Sequence, residues 1–178
     1  MERPTTLLET VDALPRARVV LLGDLVLDRF VLGTPKRISR EAPVIILRFE
    51  DQQDIPGGGA NALANLAALG IPVTPVGVVG DDEPGRALLA ALAGRGVNCS
   101  RMVTAVGYRT PTKVRILGGG PSSLKHQVAR YDIEDQLPAD GPWRHQLRAA
   151  TVAAAASAAV VAVSDYGYGT VDNGLLET

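Results

Sequence analysis

The sequence has few of the features that mark disulfide frameworks, metal sites or membrane spans. Cys99 is the single cysteine, so no internal disulfide can form and a reducing, cytoplasmic compartment is predicted. The two histidines, His126 and His145, are far apart, and no HxxxH or CxxC spacing occurs, which argues against a zinc site. The longest apolar run, residues 149–163, is alanine-rich and interrupted by polar residues, so no membrane span is predicted.

An excess of charge of either sign is also lacking. The chain has 18 Lys and Arg against 19 Asp and Glu, a net charge of −1, which argues against nucleic-acid binding because that requires a basic excess. The distribution is uneven, since no acidic residue occurs between Glu83 and Asp132, where basic residues are frequent. Such a stretch is usually a solvated face, and it also suits a substrate that carries phosphate.

Several common catalytic and nucleotide-binding motifs are absent as well. There is no GxSxG nucleophile elbow and no GxxxxGK[ST] phosphate loop. The first apolar strand is followed by Gly23-Asp24-Leu25-Val26-Leu27-Asp28, which is not the GxGxxG dinucleotide fingerprint. These absences argue against a serine hydrolase, a P-loop enzyme and a dinucleotide-binding domain.

The pattern of apolar residues predicts an α/β fold. A length of 178 residues and a hydrophobic fraction of 46% are typical of one soluble globular domain. Apolar runs that resemble buried strands alternate with helical patterns, which predicts a parallel sheet with right-handed crossovers. The predicted core strands are 18–22, 73–79 and 159–163, and the predicted helices are 6–14, 62–69, 83–95, 143–156 and one that begins at 171 and is unfinished at 178.

Two further pairs of short strands are predicted to form a lid outside the main sheet. Strands at 29–33 and 43–50 follow the first core strand without an intervening helix. Strands at 110–117 and 126–133 are joined by a flexible glycine- and serine-containing connection at 118–123. The lid is therefore predicted within residues 29–50 and 110–133.

Polar residues cluster where the predicted core strands end. In open α/β sheets the carboxyl ends of the strands line the ligand crevice. Carboxylates, an amide and free backbone N–H groups suit a ligand with many hydroxyls, because each hydroxyl both donates and accepts hydrogen bonds. These positions predict a sugar-like substrate; they are Asp24, Asp28, the glycine-rich turn Gly57 to Asn61, Asp81, Asp82, Ser164 and Asp165.

Several motifs resemble those of the ribokinase-like (PfkB) carbohydrate kinases, and within them the D-glycero-D-manno-heptose phosphate kinase branch. Residues 23–30 (GDLVLDRF) resemble the GDxxLDxY opening, and residues 37–44 (RISREAPV) resemble RISPEAPV with Arg40 in place of proline. Residues 56–61 (PGGGAN) resemble the PGGAAN sugar-binding turn. Residues 112–115 (TKVR) and 127–132 (QVARYD) resemble TKxR and QxxRxD. Residues 164–169 (SDYGYG) resemble SDYxKG, with Tyr168 where lysine is common.

The resemblance implies a fold, a site and a missing part. It implies the N-terminal half of a three-layer α/β/α fold with a mostly parallel sheet and a small protruding β lid. Residues 1–178 then form an incomplete kinase domain without the C-terminal half that supplies the catalytic aspartate, ATP and Mg²⁺. By resemblance Asp28 and Asp165 hold the sugar and are not the base. The implied substrate-binding residues are Asp28, Arg37, Gly57, Gly58, Asn61, Lys113, Arg115, Gln127, Arg130 and Asp165.

Three interpretations remain open on the sequence. The chain is the sugar-binding half of a heptose-type kinase, inactive alone; or it is a half-kinase that serves as a sugar-binding or dimerisation module; or it belongs to a ribokinase-like kinase for another sugar. Val26 stands where a ribokinase-type site has asparagine, which argues against a free pentose. The expected partners are a sugar or sugar phosphate, and either a second copy paired through the lid or a complementary C-terminal half, without which the apolar edge of the sheet would stay exposed.

Overall fold

The computed structural model describes residues 6–120, 123–138 and 140–177. The middle of the connection predicted at 118–123, and the last residue of the helix predicted to run to 178, lie outside the described residues. The elements in chain order are α1 (Leu7–Ala13), β1 (Val19–Gly23), β2 (Leu25–Ile38), β3 (Ile45–Gly58), α2 (Gly59–Ala68), β4 (Val73–Val76), β5 (Val78–Gly80), α3 (Glu83–Ala93), β6 (Val103–Ala105), β7 (Thr112–Gly118), β8 (His126–Ile133), α4 (Pro142–Ala155), β9 (Val160–Ser164) and α5 (Asn173–Leu176).

The core is a parallel sheet with helices on both faces. Strand β1 is central and pairs in parallel with β4 on one side and β9 on the other. Successive side chains of a strand point to opposite faces. Leu22 accordingly packs in the apolar cluster that includes Leu147 of α4, whereas Leu21 packs in the cluster that includes Leu63 of α2 and Leu88 of α3. The described residues therefore form the predicted partial three-layer α/β/α architecture.

A second sheet, of order β3-β2-β7-β8, forms the lid. Strand β2 pairs antiparallel with β3 and parallel with β7, and β7 pairs antiparallel with β8. Strands β2 and β3 have 14 residues each and are much longer than the predicted segments 29–33 and 43–50. The prediction was too short because residues 51–54 are polar, but these residues are largely exposed in β3, and an exposed strand does not need an apolar face. The glycine turn is consequently the end of β3, followed at once by α2.

Two smaller differences concern the middle of the chain. The strand predicted at 73–79 divides at Gly77 into β4, which joins the core sheet, and β5, which pairs with β6. Strand β6 was not predicted, because three residues are too few to show a period. Among the described residues, every helix is too short or too polar to span a bilayer.

Strand β9 was predicted as a buried core strand, and the burial is wrong for this chain. It lies at the edge of the core sheet, and Val160, Val161 and Val163 are 54%, 44% and 48% exposed. A run of valines is typical of a strand covered on both faces. The described residues leave this strand uncovered, so the apolar sheet edge anticipated from the sequence is present.

Candidate functional site

Asp28 lies where the lid joins the core. Strand β2 begins with Leu25, Val26 and Leu27, which are buried in the core, and Asp28 is the first residue beyond them. Its Oδ1 accepts a hydrogen bond from Nη1 of Arg115 at 2.5 Å. The carboxylate is thus held at the root of the lid, with about a fifth of its side-chain surface exposed.

Gly57 makes room for this carboxylate. A Cβ atom added at Gly57 would lie 2.5 Å from Oδ2 of Asp28, closer than any real contact. At the next residue, Gly58, φ is +54°, a conformation that glycine adopts most easily. A Cβ atom at Gly58 would lie 2.8 Å from Cγ2 of Val26. Both glycines therefore serve the close packing of β3 on the start of β2.

The basic residues predicted on the lid share one face with Asp28. Directly paired residues in a sheet project to the same side, and Asp28 pairs with Lys113, which pairs in turn with Asp132. Two positions along β7, Arg115 pairs with Arg130 on the same face. The guanidinium of Arg115 also lies 5.3 Å from the centre of the Phe30 ring. The fold therefore brings three strands together around one ionic cluster.

Lys113 has three acceptors for its ammonium group. Its Nζ lies 3.3 Å from each of three oxygens: Oδ2 of Asp132, Oε1 of Glu134 and the hydroxyl of Tyr168. Partial burial by itself lowers the pKa of Lys113, but the hydrogen bonds to Tyr168 and Asp132 outweigh it, and the pKa is raised. Lys113 is therefore a fixed cation in this site.

Asp132 is the carboxylate that Lys113 and Arg130 share. Nε of Arg130 donates to Oδ1 at 2.8 Å, and Nη2 donates to Oδ2 at 2.5 Å. The hydrogen bonds from Arg130 lower the pKa of Asp132 to about 2, with a further contribution from Lys113. Because the pKa in the folded protein is depressed, this cluster stabilises the fold above the ordinary aspartate pKa, and the stabilisation is lost as the pH falls towards 2.

Replacing Arg130 by methionine is expected to raise the pKa of Asp132 towards its ordinary value of about 3.9, because the main hydrogen-bond donor is removed. The carboxyl carbon resonance of Asp132, followed by NMR as a function of pH, measures this change. Arg48→Met, which removes an exposed guanidinium from β3, serves as the control and should leave the midpoint unchanged. An unchanged midpoint in the Arg130 variant would contradict the assigned cause.

Asp24, which was predicted above to contact a ligand, has a structural role instead. It is 2% exposed, and its carboxylate accepts hydrogen bonds from three backbone N–H groups of the loop that follows β9. Tyr166 and Tyr168 donate to Oδ2 at 2.8 and 3.0 Å, and Thr170 donates to Oδ1 at 3.2 Å. Asp24 thereby fixes the loop that presents Asp165 and Tyr168.

Asp82 likewise holds two elements together. Its Oδ1 accepts from the backbone N–H of Gly85 and so caps α3. The same carboxylate accepts from the hydroxyl and the backbone N–H of Thr110, just before β7. Asp82 is therefore occupied in fixing the base of the lid to the core.

Asn61 lies beside the ionic cluster and not within it. It occupies the first turn of α2, is exposed, and lines a groove of about 440 Å³ together with Ile55, Asn65 and Arg95. Ile55 also pairs with Asp28 in the β2–β3 ladder, so the groove and the cluster adjoin. Asp165 follows β9 and accepts a hydrogen bond from the backbone N–H of Gly167 at 2.8 Å.

Two predicted residues lie away from Asp28. Arg37 is exposed near the outer end of β2, nine residues beyond Asp28, which corresponds to roughly 30 Å along the strand. Gln127 is exposed on β8 and pairs with Leu117, four positions beyond Lys113. The fold therefore gathers Asp28, Gly57, Gly58, Lys113, Arg115 and Arg130 closely, and leaves Arg37 and Gln127 further out along the lid.

Three members of the cluster were not among the predicted site residues: Asp132, Glu134 and Tyr168. Asp132 belongs to the QVARYD segment, and Glu134 comes two positions later, where alternation along an extended chain repeats the same side. That alternation was the available signal for Glu134. Tyr168 reaches the cluster from the loop after β9, and no local pattern indicates its position.

No ATP or Mg²⁺ site is assigned among the described residues. No group of three or more His, Cys, Asp or Glu side chains among them is arranged to hold a metal ion. The first N–H of α2, at Gly59, donates to the backbone oxygen of Asp24 and is therefore not available to a phosphate. No catalytic step through ATP is therefore derived for these residues.

The architecture and the site define a class: an α/β protein with a parallel core sheet and a β lid that carries an ionic cluster. The profile of the pfkB family of carbohydrate kinases matches residues 16–164. The chain belongs to this family.

Sequence relatives are bifunctional HldE proteins. The protein from Hyphomonas neptunium is 38% identical over 90% of this chain and 32% of its own length. The protein from Nitrosococcus oceani is 41% identical over 87% of this chain and 31% of its own length. The chain thus spans about a third of the length of the curated relatives it matches.

Solved structures share the fold. A carbohydrate kinase from Agrobacterium tumefaciens matches 83% of this chain and 45% of its own length, with a TM-score of 0.60 and 22% identity. Phosphofructokinase-2 from Escherichia coli, in complex with fructose-6-phosphate, matches 90% of this chain and 48% of its own length, with a TM-score of 0.57 and 18% identity. The ribokinase-like fold predicted from the sequence is confirmed.

Proposed function

We propose that this chain is the sugar-binding half of an ATP-dependent carbohydrate kinase that, when complete, phosphorylates a heptose phosphate or a related sugar. The observation that carries the proposal is the carboxylate of Asp28, held against Gly57 at the root of the lid. Membership in the pfkB family and the likeness to HldE proteins support a sugar kinase and its heptose branch.

The chemistry of Asp28 suits a sugar hydroxyl. Arg115 donates a hydrogen bond to Oδ1 of Asp28, while Oδ2 has no hydrogen-bond partner among the described residues. An ionised carboxylate oxygen accepts strongly from a hydroxyl, and such charge-assisted bonds contribute about 1.5–3 kcal/mol. Gly57 lies against this oxygen, and Gly58 is the next residue. Asn61 lines the adjoining groove. We assign the following residues to sugar binding: Gly57, Gly58, Asn61, Lys113, Arg115, Arg130 and Asp165. Arg37 and Gln127 are also assigned to substrate binding, at the outer margin of the same lid.

The catalytic base and the ATP pocket are assigned to a segment outside this chain. Phosphoryl transfer needs a base, N–H groups and Mg²⁺ that together offset the developing charge. The described carboxylates of this site already bind cations or backbone N–H groups, so none is assigned as the base. We therefore expect sugar binding without phosphoryl transfer from these 178 residues alone.

The exposed edge at β9 is where the second candidate differs from the first; this candidate is a catalytically inactive half-kinase that acts as a sugar-binding or dimerisation module. Val160, Val161 and Val163 form an apolar surface that a complementary C-terminal half would cover. A second copy of the chain, paired here or through the lid, would be the alternative. The two candidates share the same sugar site and differ in what completes it.

Isothermal titration of the chain with D-glycero-D-manno-heptose 7-phosphate tests the proposed site. Asp28→Ala is expected to weaken binding by about 10- to 100-fold, because one charge-assisted hydrogen bond is lost. Asn61→Ala should weaken it by about threefold to tenfold, the effect of a neutral hydrogen bond.

Asp12→Ala is the matched control, since it removes an exposed carboxylate from α1, away from the lid. Its affinity should equal that of the unmodified chain. Unchanged affinity in both site variants would refute the assignment.

A further inference from the structure

Tyr168 connects the core to the lid. Its backbone N–H donates to Oδ2 of the buried Asp24, and the residue as a whole is 7% exposed. At the other end, its hydroxyl donates to Oε1 of Glu134 at 2.8 Å and lies 3.3 Å from Nζ of Lys113. Burial, followed by the hydrogen bond to Glu134, raises the pKa of Tyr168, so the group is a neutral phenol at physiological pH.

The cations of this cluster already have partners. Arg115 bonds to Asp28, Arg130 bonds to Asp132, and Lys113 bonds to Asp132 and Glu134. Three basic side chains thus face three carboxylates, and their charges cancel. A phosphate dianion gains little from a balanced cluster, whereas sugar hydroxyls can use both the donors and the acceptors that it presents.

Tyr168 completes the coordination of Lys113. An ammonium group has three N–H donors, and Lys113 has three acceptors: two carboxylates and the Tyr168 hydroxyl. With all three donors in use, Lys113 has none left for an incoming phosphate oxygen. Removing the hydroxyl would free one N–H at this face of the lid.

We propose, on the basis of the function proposed above, that Tyr168 is a positioning residue that ties Lys113 to Glu134 and thereby limits the preference of the site for a phosphorylated sugar over its unphosphorylated form. In this proposal the cluster binds the hydroxyl groups of the sugar. Selectivity for the phosphorylated sugar then depends on whether the Tyr168 hydroxyl occupies the N–H donor of Lys113 that a phosphate oxygen would need.

The test compares two ligands that differ only in the phosphate, D-glycero-D-manno-heptose and its 7-phosphate, by calorimetric titration of the chain. Tyr168→Phe retains the ring and removes the hydroxyl. The ratio of the two affinities is expected to move roughly tenfold towards the phosphorylated ligand, the effect of one charge-assisted hydrogen bond. Glu134→Gln, which removes one carboxylate and leaves a net positive cluster, should move the ratio in the same direction.

Tyr131→Phe is the matched control. Tyr131 lies on β8, is about half exposed, and pairs with Val114, so it projects from the opposite face of the lid. Its ratio should equal that of the unmodified chain. A simple packing defect in Tyr168→Phe would weaken both ligands equally and leave the ratio unchanged.

The outcomes are distinct. A ratio that moves towards the phosphate in Tyr168→Phe, or in Glu134→Gln if the first variant does not fold, supports the proposal. A ratio within twofold of the original in the folded variants overturns it while leaving the sugar site intact. If the unmodified chain binds neither ligand, the proposed function itself is wrong, and this inference falls with it.

Discussion

Replacing Asp24 by alanine is expected to lower the free energy of unfolding by about 3–5 kcal/mol. The carboxylate accepts three backbone N–H groups, those of Tyr166, Tyr168 and Thr170, and two of these donors are buried. A buried donor left without an acceptor costs about 1–3 kcal/mol, and alanine offers no replacement. Urea unfolding followed by circular dichroism measures the loss.

Asp24→Asn is the informative control. The amide retains the shape and one acceptor oxygen, but it turns an NH₂ group towards at least one backbone donor. Its free energy of unfolding should therefore lie between those of the unmodified chain and the alanine variant. A loss of under 1 kcal/mol in Asp24→Ala would contradict the structural part assigned to this carboxylate.

Replacing Gly57 by alanine is expected to weaken sugar binding by about a hundredfold, with a smaller effect on stability. The new Cβ would lie 2.5 Å from Oδ2 of Asp28, so the carboxylate must turn away and lose its bond to Arg115. The backbone itself tolerates alanine, because Gly57 is not among the glycines with positive φ. Calorimetric titration with heptose 7-phosphate, together with urea unfolding, separates the two effects.

Gly94→Ala controls for the added methyl group. Gly94 has φ −62° at the end of α3, and a Cβ there would make only an ordinary contact, 3.4 Å from the backbone oxygen of Ala90. Sugar affinity should not change in this variant. If Gly57→Ala binds as tightly as the unmodified chain, the packing of Asp28 on Gly57 has no part in recognition.

The sequence predicts the core strands well, because their apolar runs are local. Val19 to Leu22 and Val160 to Val163 give the same signal, and both form strands. Their burial differs, since burial depends on what lies beside a strand and not on the strand itself. The lid strands were predicted too short for a related reason. A strand that is exposed to water on both faces does not show the alternation of apolar and polar residues from which a strand is predicted.

The site was predictable as a set of residue types and only partly as a geometry. Asp24 and Asp28 are four residues apart in one motif, yet one is a buried acceptor for a loop and the other lies at the open root of the lid. Only the fold separates these two carboxylates. Tyr168 and Glu134 are 34 residues apart, and their contact depends on Asp24 fixing the loop after β9.

Strand β2 begins in the core and extends from it into the lid, and its pairing with β3 is interrupted along the way. Its first residues are buried in the core, and its ladder with β3 is regular as far as Leu32. The register shifts between Leu32 and Gly33 and again between Pro35 and Arg37. Bending concentrates where ladder hydrogen bonds are interrupted. The lid is therefore expected to bend at residues 32–37. Asp28 lies on the core side of this segment, so its contacts with Gly57 and Arg115 do not depend on the direction of the outer lid.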